Sequence, residues 1–347
     1  MKLLCIGQEW RGSNASGLFY ALSRNGAITN VINDHRYIST SAVNKLAKVA
    51  NRLVRSFQVK DFNAQIVKQF HSFQPDVVFV YKGAFVRKET VKLIKSKNTP
   101  VVVFFPDVSF TAHGENIPEC IPFYDHIFTT KSFALNDLSA RFGYPDQDIT
   151  VIPHGFDPNL HRPLKVEESK FACDVSFIGN YSPHKAHLLE NLIATLPHLD
   201  LRIWGGTWYK YKGTILKKHI QGVALLGDAY VEAINASKIN IAILSEIVKG
   251  ASSGDLITSR TFHITGSGGF MLHQYSTEVV DCFVENHEAV FFNNIQDLIS
   301  KTAYFLENNE ERVAIAQRGH TRSVKDHSLD HRAKQVLAIL ESSFSSA

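Results

Sequence analysis

The sequence predicts an α/β protein built from two doubly wound parallel-sheet domains. Three observations carry this. The chain has 347 residues, more than one ordinary core holds. Short β-rich apolar runs alternate with helical patterns from end to end. A Pro- and Gly-rich interruption falls near the middle, and the alternation restarts after it. Alternating strands and helices imply parallel sheets with helices on both faces.

In the first half, strands are expected at Leu3–Gly7, Thr29–Ile32, Asp76–Tyr81, Val101–Phe105, His126–Thr129 and Ile149–Ile152. Between them, helical spacing of apolar residues marks Ala15–Asn25, Lys60–Phe73, Arg87–Ser96 and Ser132–Phe142. Gly26 stands where a helix C-cap is wanted, and Pro75 and Pro100 precede strands after helices have stopped. The stretch Pro153-His154-Gly155-Phe156-Asp157-Pro158, running on to Arg162-Pro163, lacks periodicity and reads as a hinge. Beyond it come strands at Asp174–Ile178, Leu201–Trp204, Val223–Leu226, Ile239–Leu244, Phe270–Leu272 and Ala289–Phe292. Helices are expected at His184–Leu196, in the segment ending near Gly266, and at Ile295–Leu306, Glu310–Arg318 and Leu329–Ser342.

Composition narrows the function classes. With 44% hydrophobic and 20% charged residues the chain is globular and not disordered. No run of eighteen apolar residues is present, which removes a membrane-spanning helix. The start reads as a first strand and not as a signal peptide. The four cysteines, Cys5, Cys120, Cys173 and Cys282, are far apart and make no zinc spacing, so a reducing cytoplasm is expected. Residues 1–155 hold 18 basic and 12 acidic side chains, a net +6, against 19 and 21, a net −2, in the remainder. That is too mild for a dedicated nucleic-acid binder but suits an anionic partner surface.

Ligands of open parallel sheets sit beyond the carboxyl ends of the strands, so the loops there matter most. Gly7–Ala15 joins the first strand to a helix, and Gly12 and Ser13 there fit either a phosphate-facing turn or a plain helix cap. Gly179-Asn180-Tyr181-Ser182-Pro183-His184-Lys185 repeats the arrangement at the first strand of the second domain. Lys185 opposes the dipole at a helix start, which suggests a phosphate partner or a solvated lysine. Asp255, Arg260 and His263 cluster at one loop–helix junction ahead of Gly268-Gly269. Asp107 follows an apolar strand through Pro106, as a cleft carboxylate or a turn residue. Asp146-Gln147-Asp148 reads as an acidic turn, and Asp326-His327 with Asp330-His331 as helix-end polar residues; no metal is expected. Asn44–Lys60 carries Lys45, Lys48, Arg52, Arg55 and Lys60 without an acid, with Leu46, Val49, Ala50, Leu53, Val54 and Phe57 at helical spacing. This basic amphipathic helix suits an anionic membrane surface or a solvated domain face.

The pattern resembles the GT-B glycosyltransferases and, within them, the CgeB-type (spore-maturation) family. Val151–Asp157 with Arg162-Pro163, Cys173–Gly179, Leu201–Gly206 and Ser259–His263 running to Gly268-Gly269-Phe270 carry the likeness in order. It implies two Rossmann-like domains: an acceptor domain over 1–155, a nucleotide-sugar domain over 156–327, and a C-terminal helix, 328–347, returning to the first. It further implies transfer of a sugar from a nucleotide diphosphate sugar to an acceptor hydroxyl, without a cofactor or essential metal. Gly12, Ser13, Gly179, Lys185, Tyr230, Arg260 and His263 would bind the donor, with Lys185 and Arg260 on the diphosphate and Tyr230 near the base. Asp255 and Asp107 would be catalytic. Relatives carry two carboxylates with seven residues between, where this chain has Asp255 and His263; Pro106 stands where many retaining relatives have a histidine. Retention is favoured over inversion; inversion would need Asp107 or His113 as base. The expected acceptor is a cell-surface glycan or lipid-linked sugar, at the cytoplasmic membrane face. A non-catalytic nucleotide- or glycan-binding protein and a DNA-modifying transferase are the competing readings.

Overall fold

The computed structural model describes residues 1–38, 45–166 and 168–344, with the side chains of residues 45–53 outside the description. Chain contacts divide it into two compact units. The first comprises Met1–Pro153, Ile247–Ser253 and Asp330–Ala347; the second comprises His154–Glu246 and Gly254–Leu329.

The first unit contains strands β1 (Lys2–Gly7), β2 (Ile28–Asn33), β3 (Val77–Tyr81), β4 (Val101–Phe105), β5 (His126–Thr129) and β6 (Ile149–Val151). They form one sheet in the order β2-β1-β3-β4-β5-β6, with every pairing parallel. Helices α1 (Asn14–Arg24), α2 (Lys45–Phe73), α3 (Lys88–Lys95), α4 (Asn116–Cys120) and α5 (Ala134–Phe142) connect them. Strands buried on both faces must be apolar throughout, which is why Val-Val-Phe-Val-Tyr and Val-Val-Val-Phe-Phe fill the centre. Phe79, Phe104 and Phe128 pack across neighbouring strands on one face. Val78, Val80, Val103 and Phe105 join the helix-packed core on the other.

Lys45–Phe73 is a single helix, which corrects the reading of two helical segments meeting at Lys60. Val59, Phe62, Ile66 and Phe70 are buried at helical spacing, and nothing at Lys60 breaks the pattern. Of the expected basic face, Lys45, Leu46, Lys48, Val49, Ala50, Arg52 and Leu53 lie outside the described side chains, and Asn44 outside the described residues. Val54, Arg55, Phe57 and Lys60 are exposed.

The second unit contains β7 (Cys173–Ile178), β8 (Leu201–Trp204), β9 (Ser237–Ala242), β10 (Met271–Gln274) and β11 (Val290–Phe292). Their order is β11-β10-β9-β7-β8, again parallel. Helices α6 (Pro183–Thr195), α7 (Gly227–Ala236), α8 (Ser259–Gly266), α9 (Thr277–Cys282), α10 (Ile295–Glu307) and α11 (Asn309–Asp326) cover the sheet. Buried polar groups on it are paired: Ser176 Oγ donates to Asn240 Oδ1 (2.8 Å), and Asn240 Nδ2 donates to the Ile234 carbonyl (3.1 Å). The expected strand at Val223–Leu226 is not formed. Gly222 turns the chain at positive φ just before it, Val223 and Leu226 face solvent, and the Val223 carbonyl accepts from Gly205 N–H (2.8 Å) without a strand ladder forming. The stretch read as a hinge is pinned within this unit: Phe156 bonds the His327 carbonyl (3.2 Å) and accepts from Leu329 N–H (2.8 Å).

The last helix, α12 (Leu329–Phe344), belongs from Asp330 onward to the first unit. Asp330 receives a fork from Arg24, with Nε at 2.8 Å and Nη2 at 2.9 Å, and Asn25 Nδ2 adds a bond at 3.1 Å.

Candidate functional site

In the second unit, polar groups gather where β7, β9 and β10 end and α6 and α8 begin. Gly179 follows β7, and its carbonyl accepts from Trp208 Nε1 (2.8 Å). A Cβ at Gly179 would stand 2.9 Å from Arg260 Nη1, so the missing side chain is what lets the guanidinium approach. Arg260 lies in the first turn of α8; its Nη2 donates to the Ile243 carbonyl at 2.7 Å, while its buried Nε has no hydrogen-bond partner. Burial lowers its pKa, but a guanidinium stays charged in proteins.

Lys185, in the first turn of α6, is 5% exposed and its Nζ reaches Ser245 Oγ at 3.4 Å. Burial, then the like charge of Arg260, brings its pKa down to about 8; Asp255 and Glu246 act in the opposite direction. Two cations are thus held together among buried groups, an arrangement that costs free energy unless an anion completes it. Asp255 N–H donates to the Ser245 carbonyl (2.8 Å), which keeps this carboxylate on the same loop as the lysine's partner.

His263, one turn along α8 from Arg260, is 6% exposed and stacks on His161, with ring centroids 4.1 Å apart. Tyr230 stands edge-on to both rings, at 5.8 Å from His263 and 6.1 Å from His161. Burial, followed by the charges of His161, His154 and Arg260, holds His263 well below the ordinary imidazole range. Burial likewise brings His161 down to about 4. Both rings are therefore neutral near pH 7, and the Nε2 of each is buried without a hydrogen-bond partner. Expectation placed Tyr230 by a base; the structure puts its ring against the histidine pair.

In the first unit, Asp107 follows β4 and is paired. Its Oδ2 lies 2.7 Å from Lys82 Nζ and 3.2 Å from His113 Nε2. Burial and Lys82 lower the His113 pKa, against the pull of Asp107. Asp34, beyond β2, has its pKa raised by burial and feels Lys82 as well. A mixed-charge cluster thus lines this end of the sheet. Ser13 caps α1, accepting from Ser16 N–H (3.0 Å) and donating to the Gln8 carbonyl (3.1 Å), after Gly12 at φ +94°. Its hydroxyl is used by the fold in the way the plain cap reading required.

The segment Ile247–Ser253 leaves the second unit's loop and packs in the first. Ser109 Oγ donates to the Lys249 carbonyl (2.8 Å), and Ser252 N–H donates to Asp137 Oδ2 (3.0 Å). Gly250 has φ +90°, and a Cβ there would collide with Thr111 Oγ1.

The other sequence signals resolve as structure. Asp146–Asp148 is a short 3-10 turn, Asp326 pairs with Arg322 (3.1 Å), and His327 Nε2 meets the Cys282 carbonyl (3.1 Å). Among the described residues no three His, Cys, Asp or Glu side chains are grouped to hold a metal ion, and no helix is long and apolar enough to cross a membrane. Glu246, His161 and Lys82 escaped notice in the sequence because each reaches its partners across long separations.

Solved structures with the same two-sheet arrangement settle the architecture. Alr3699/HepE of Anabaena in complex with UDP and glucose superposes with a TM-score of 0.66 at 13% identity, covering 99% of this chain and all (100%) of that one. A glycosyltransferase from Rickettsia africae ESF-5 gives 0.65 at 11%, covering 100% and 99%. The chain has the GT-B fold. Residues 184–338 of this GT-B chain match the family model described as Glycosyl transferase-like, a span that contains Lys185, Tyr230, Asp255, Arg260 and His263. Spore protein CgeB of Bacillus subtilis (strain 168) is 22% identical over 296 residues, covering 80% of this chain and 86% of that protein. The likeness expected from the sequence is thus found with CgeB in sequence and with GT-B structures in fold.

Proposed function

We propose that the protein is a glycosyltransferase that moves a sugar from a nucleotide diphosphate sugar to an acceptor hydroxyl. The observation that carries this reading is the Lys185–Arg260 pair, two cations brought together at the carboxyl ends of the second sheet with Gly179 bare beside them. The Anabaena protein of the same fold has been captured with UDP-glucose, which supports a nucleotide-sugar donor here.

In this reading, the bond between the sugar's anomeric carbon and the diphosphate breaks, and a bond to the acceptor oxygen forms. Negative charge grows on the departing diphosphate. Lys185 and Arg260 stabilise it more in the transition state than in the bound donor, which is what accelerates the step. These side chains supply the charge, and no metal is invoked. Asp255 faces the sugar from the same loop. With retention, the acceptor proton passes to the leaving diphosphate oxygen. Asp107 and His113 orient the acceptor on the first unit. Tyr230 and His263 line the donor's nucleoside side. The acceptor is a glycan or lipid-linked sugar of the cell envelope; Arg55 and Lys60 beside exposed Val54 and Phe57 suit an anionic membrane surface.

A panel of nucleotide diphosphate sugars tests the proposal, with free nucleotide diphosphate as the readout and a chelator present in one arm. Turnover unaffected by chelator is expected. Thermal stabilisation by nucleotide with no turnover of any donor would favour a binding protein instead, and salt-dependent retention on DNA a nucleic-acid substrate.

Asp255→Asn is expected to lower turnover about a hundredfold, the scale of a lost transition-state contact, while nucleotide affinity holds or improves. Equal loss in both would move Asp255 out of the chemistry. Nucleotide affinity is also expected to depend on pH through Lys185. The ammonium is charged below about 8 and neutral above it, so the dissociation constant rises as pH passes upward through that value. A flat profile between pH 6 and 10 would remove Lys185 from the phosphates.

A further inference from the structure

The N-terminus of α6 has its donors taken within the chain. Pro183 has no N–H to give. Lys185 N–H donates to Ser182 Oγ (3.3 Å) and Ala186 N–H to the Ser182 carbonyl (3.0 Å), so the helix start caps itself with its own neighbouring residue. The donor left over is His184 N–H, and it goes to Glu246 Oε1 (3.3 Å). Glu246 comes from a distant part of the sequence. It follows Ser245, whose hydroxyl meets the Lys185 ammonium, and its own charge acts on that ammonium. A carboxylate from the loop beyond β9 thus stands at a helix N-terminus beside a buried lysine. That is the electrostatic position a phosphate favours.

We propose that Glu246 is a built-in competitor of the donor. Its carboxylate occupies the place at the start of α6, beside Lys185, that a donor phosphate takes, and it is displaced when the donor binds. This rests on the reading above that Lys185 and Arg260 receive a nucleotide diphosphate. The competitor sets a negative charge near Lys185 while no donor is present. It also sets a threshold, because every diphosphate must first outbid an internal anion held at high effective concentration. Ligands that bring a single weak negative charge do not displace it; a diphosphate does.

The test is calorimetric titration of the full chain with UDP, GDP and ADP, and with inorganic pyrophosphate, which removes any dependence on the base. Wild type, Glu246→Gln, Glu246→Ala and Lys185→Met are compared, with thermal melting as a check on folding. Both Glu246 variants are expected to bind pyrophosphate and the preferred nucleotide roughly three- to tenfold more tightly than wild type, the scale of an anion–helix contact. Damage to the fold would not tighten binding, and the alanine variant preserves the test if the glutamine variant is unstable. Unchanged or weaker binding in the Glu246 variants, with binding lost in Lys185→Met, overturns the competitor and leaves the phosphate site standing. No binding of any ligand to any of the proteins overturns both.

Discussion

Removing either cation at the carboxyl ends of the second sheet's strands is expected to weaken nucleotide diphosphate binding by about one to two orders of magnitude, the worth of one charge-assisted contact. The two variants should differ in stability. Lys185 is buried with a pKa brought down to about 8, so its charge is already costly to the fold. Lys185→Met keeps the stem and discards the charge, and its melting temperature should hold or rise. Arg260 Nη2 satisfies the Ile243 carbonyl, so Arg260→Ala leaves a backbone acceptor unpaired and should cost about 1 kcal/mol in addition to binding. Isothermal titration and thermal melts on the same preparations separate these effects. Wild-type affinity in both variants would end the assignment of phosphates to this pair.

Gly205→Ala is expected to be the most damaging small substitution near the site. The backbone at Gly205 runs so close to β7 that a Cβ would collide with the Gly179 carbonyl oxygen and reach to within 3.0 Å of the Trp208 ring. That carbonyl is already held by Trp208 Nε1, and Gly179 N–H by the Trp204 carbonyl (2.9 Å), so neither side yields easily. Such overpacking costs about 2–3 kcal/mol, a fall of roughly 5–10 °C in melting temperature for a unit of this size. Gly179 is pushed as well, and Arg260 with it, so nucleotide affinity should fall together with stability. Gly206→Ala is the control: a Cβ there has nothing within 4 Å, and it should behave as wild type. A Gly205→Ala protein with unchanged melting and affinity would show that the ends of β7 and β8 are looser than their packing implies.

Legibility followed the range of the interactions. Strands buried on both faces need unbroken apolar runs, so Val101–Phe105 was read with its observed limits, and the short apolar cores of His126–Thr129 and of the edge strand Leu201–Trp204 sufficed for theirs. Val223–Leu226 misled because a short apolar run after a turn looks like a strand until a neighbour fails to bury it. The split at Lys60 misled because composition changes there while helical burial does not. Lys185, Asp255 and Arg260 were legible as polar residues at strand ends, where ligands of such sheets bind. The pairing of Asp107 with Lys82 and His113 was not, nor the stack of His263 on His161, since composition around each residue carries no trace of a partner elsewhere in the chain.

By itself, the sequence determined the alternation of strand and helix, the division into two sheet units and the end of each strand where polar chemistry gathers. These depend on local periodicity and on the demand that a two-sided sheet be apolar. The tertiary structure decided which of those polar groups meet: that two cations share one buried corner, that Glu246 lies across the α6 start, and that Ile247–Ser253 leaves one unit's loop to pack in the other. Charges and hydrogen bonds act over a few ångströms of space, and that distance is set by folding, not by position along the chain.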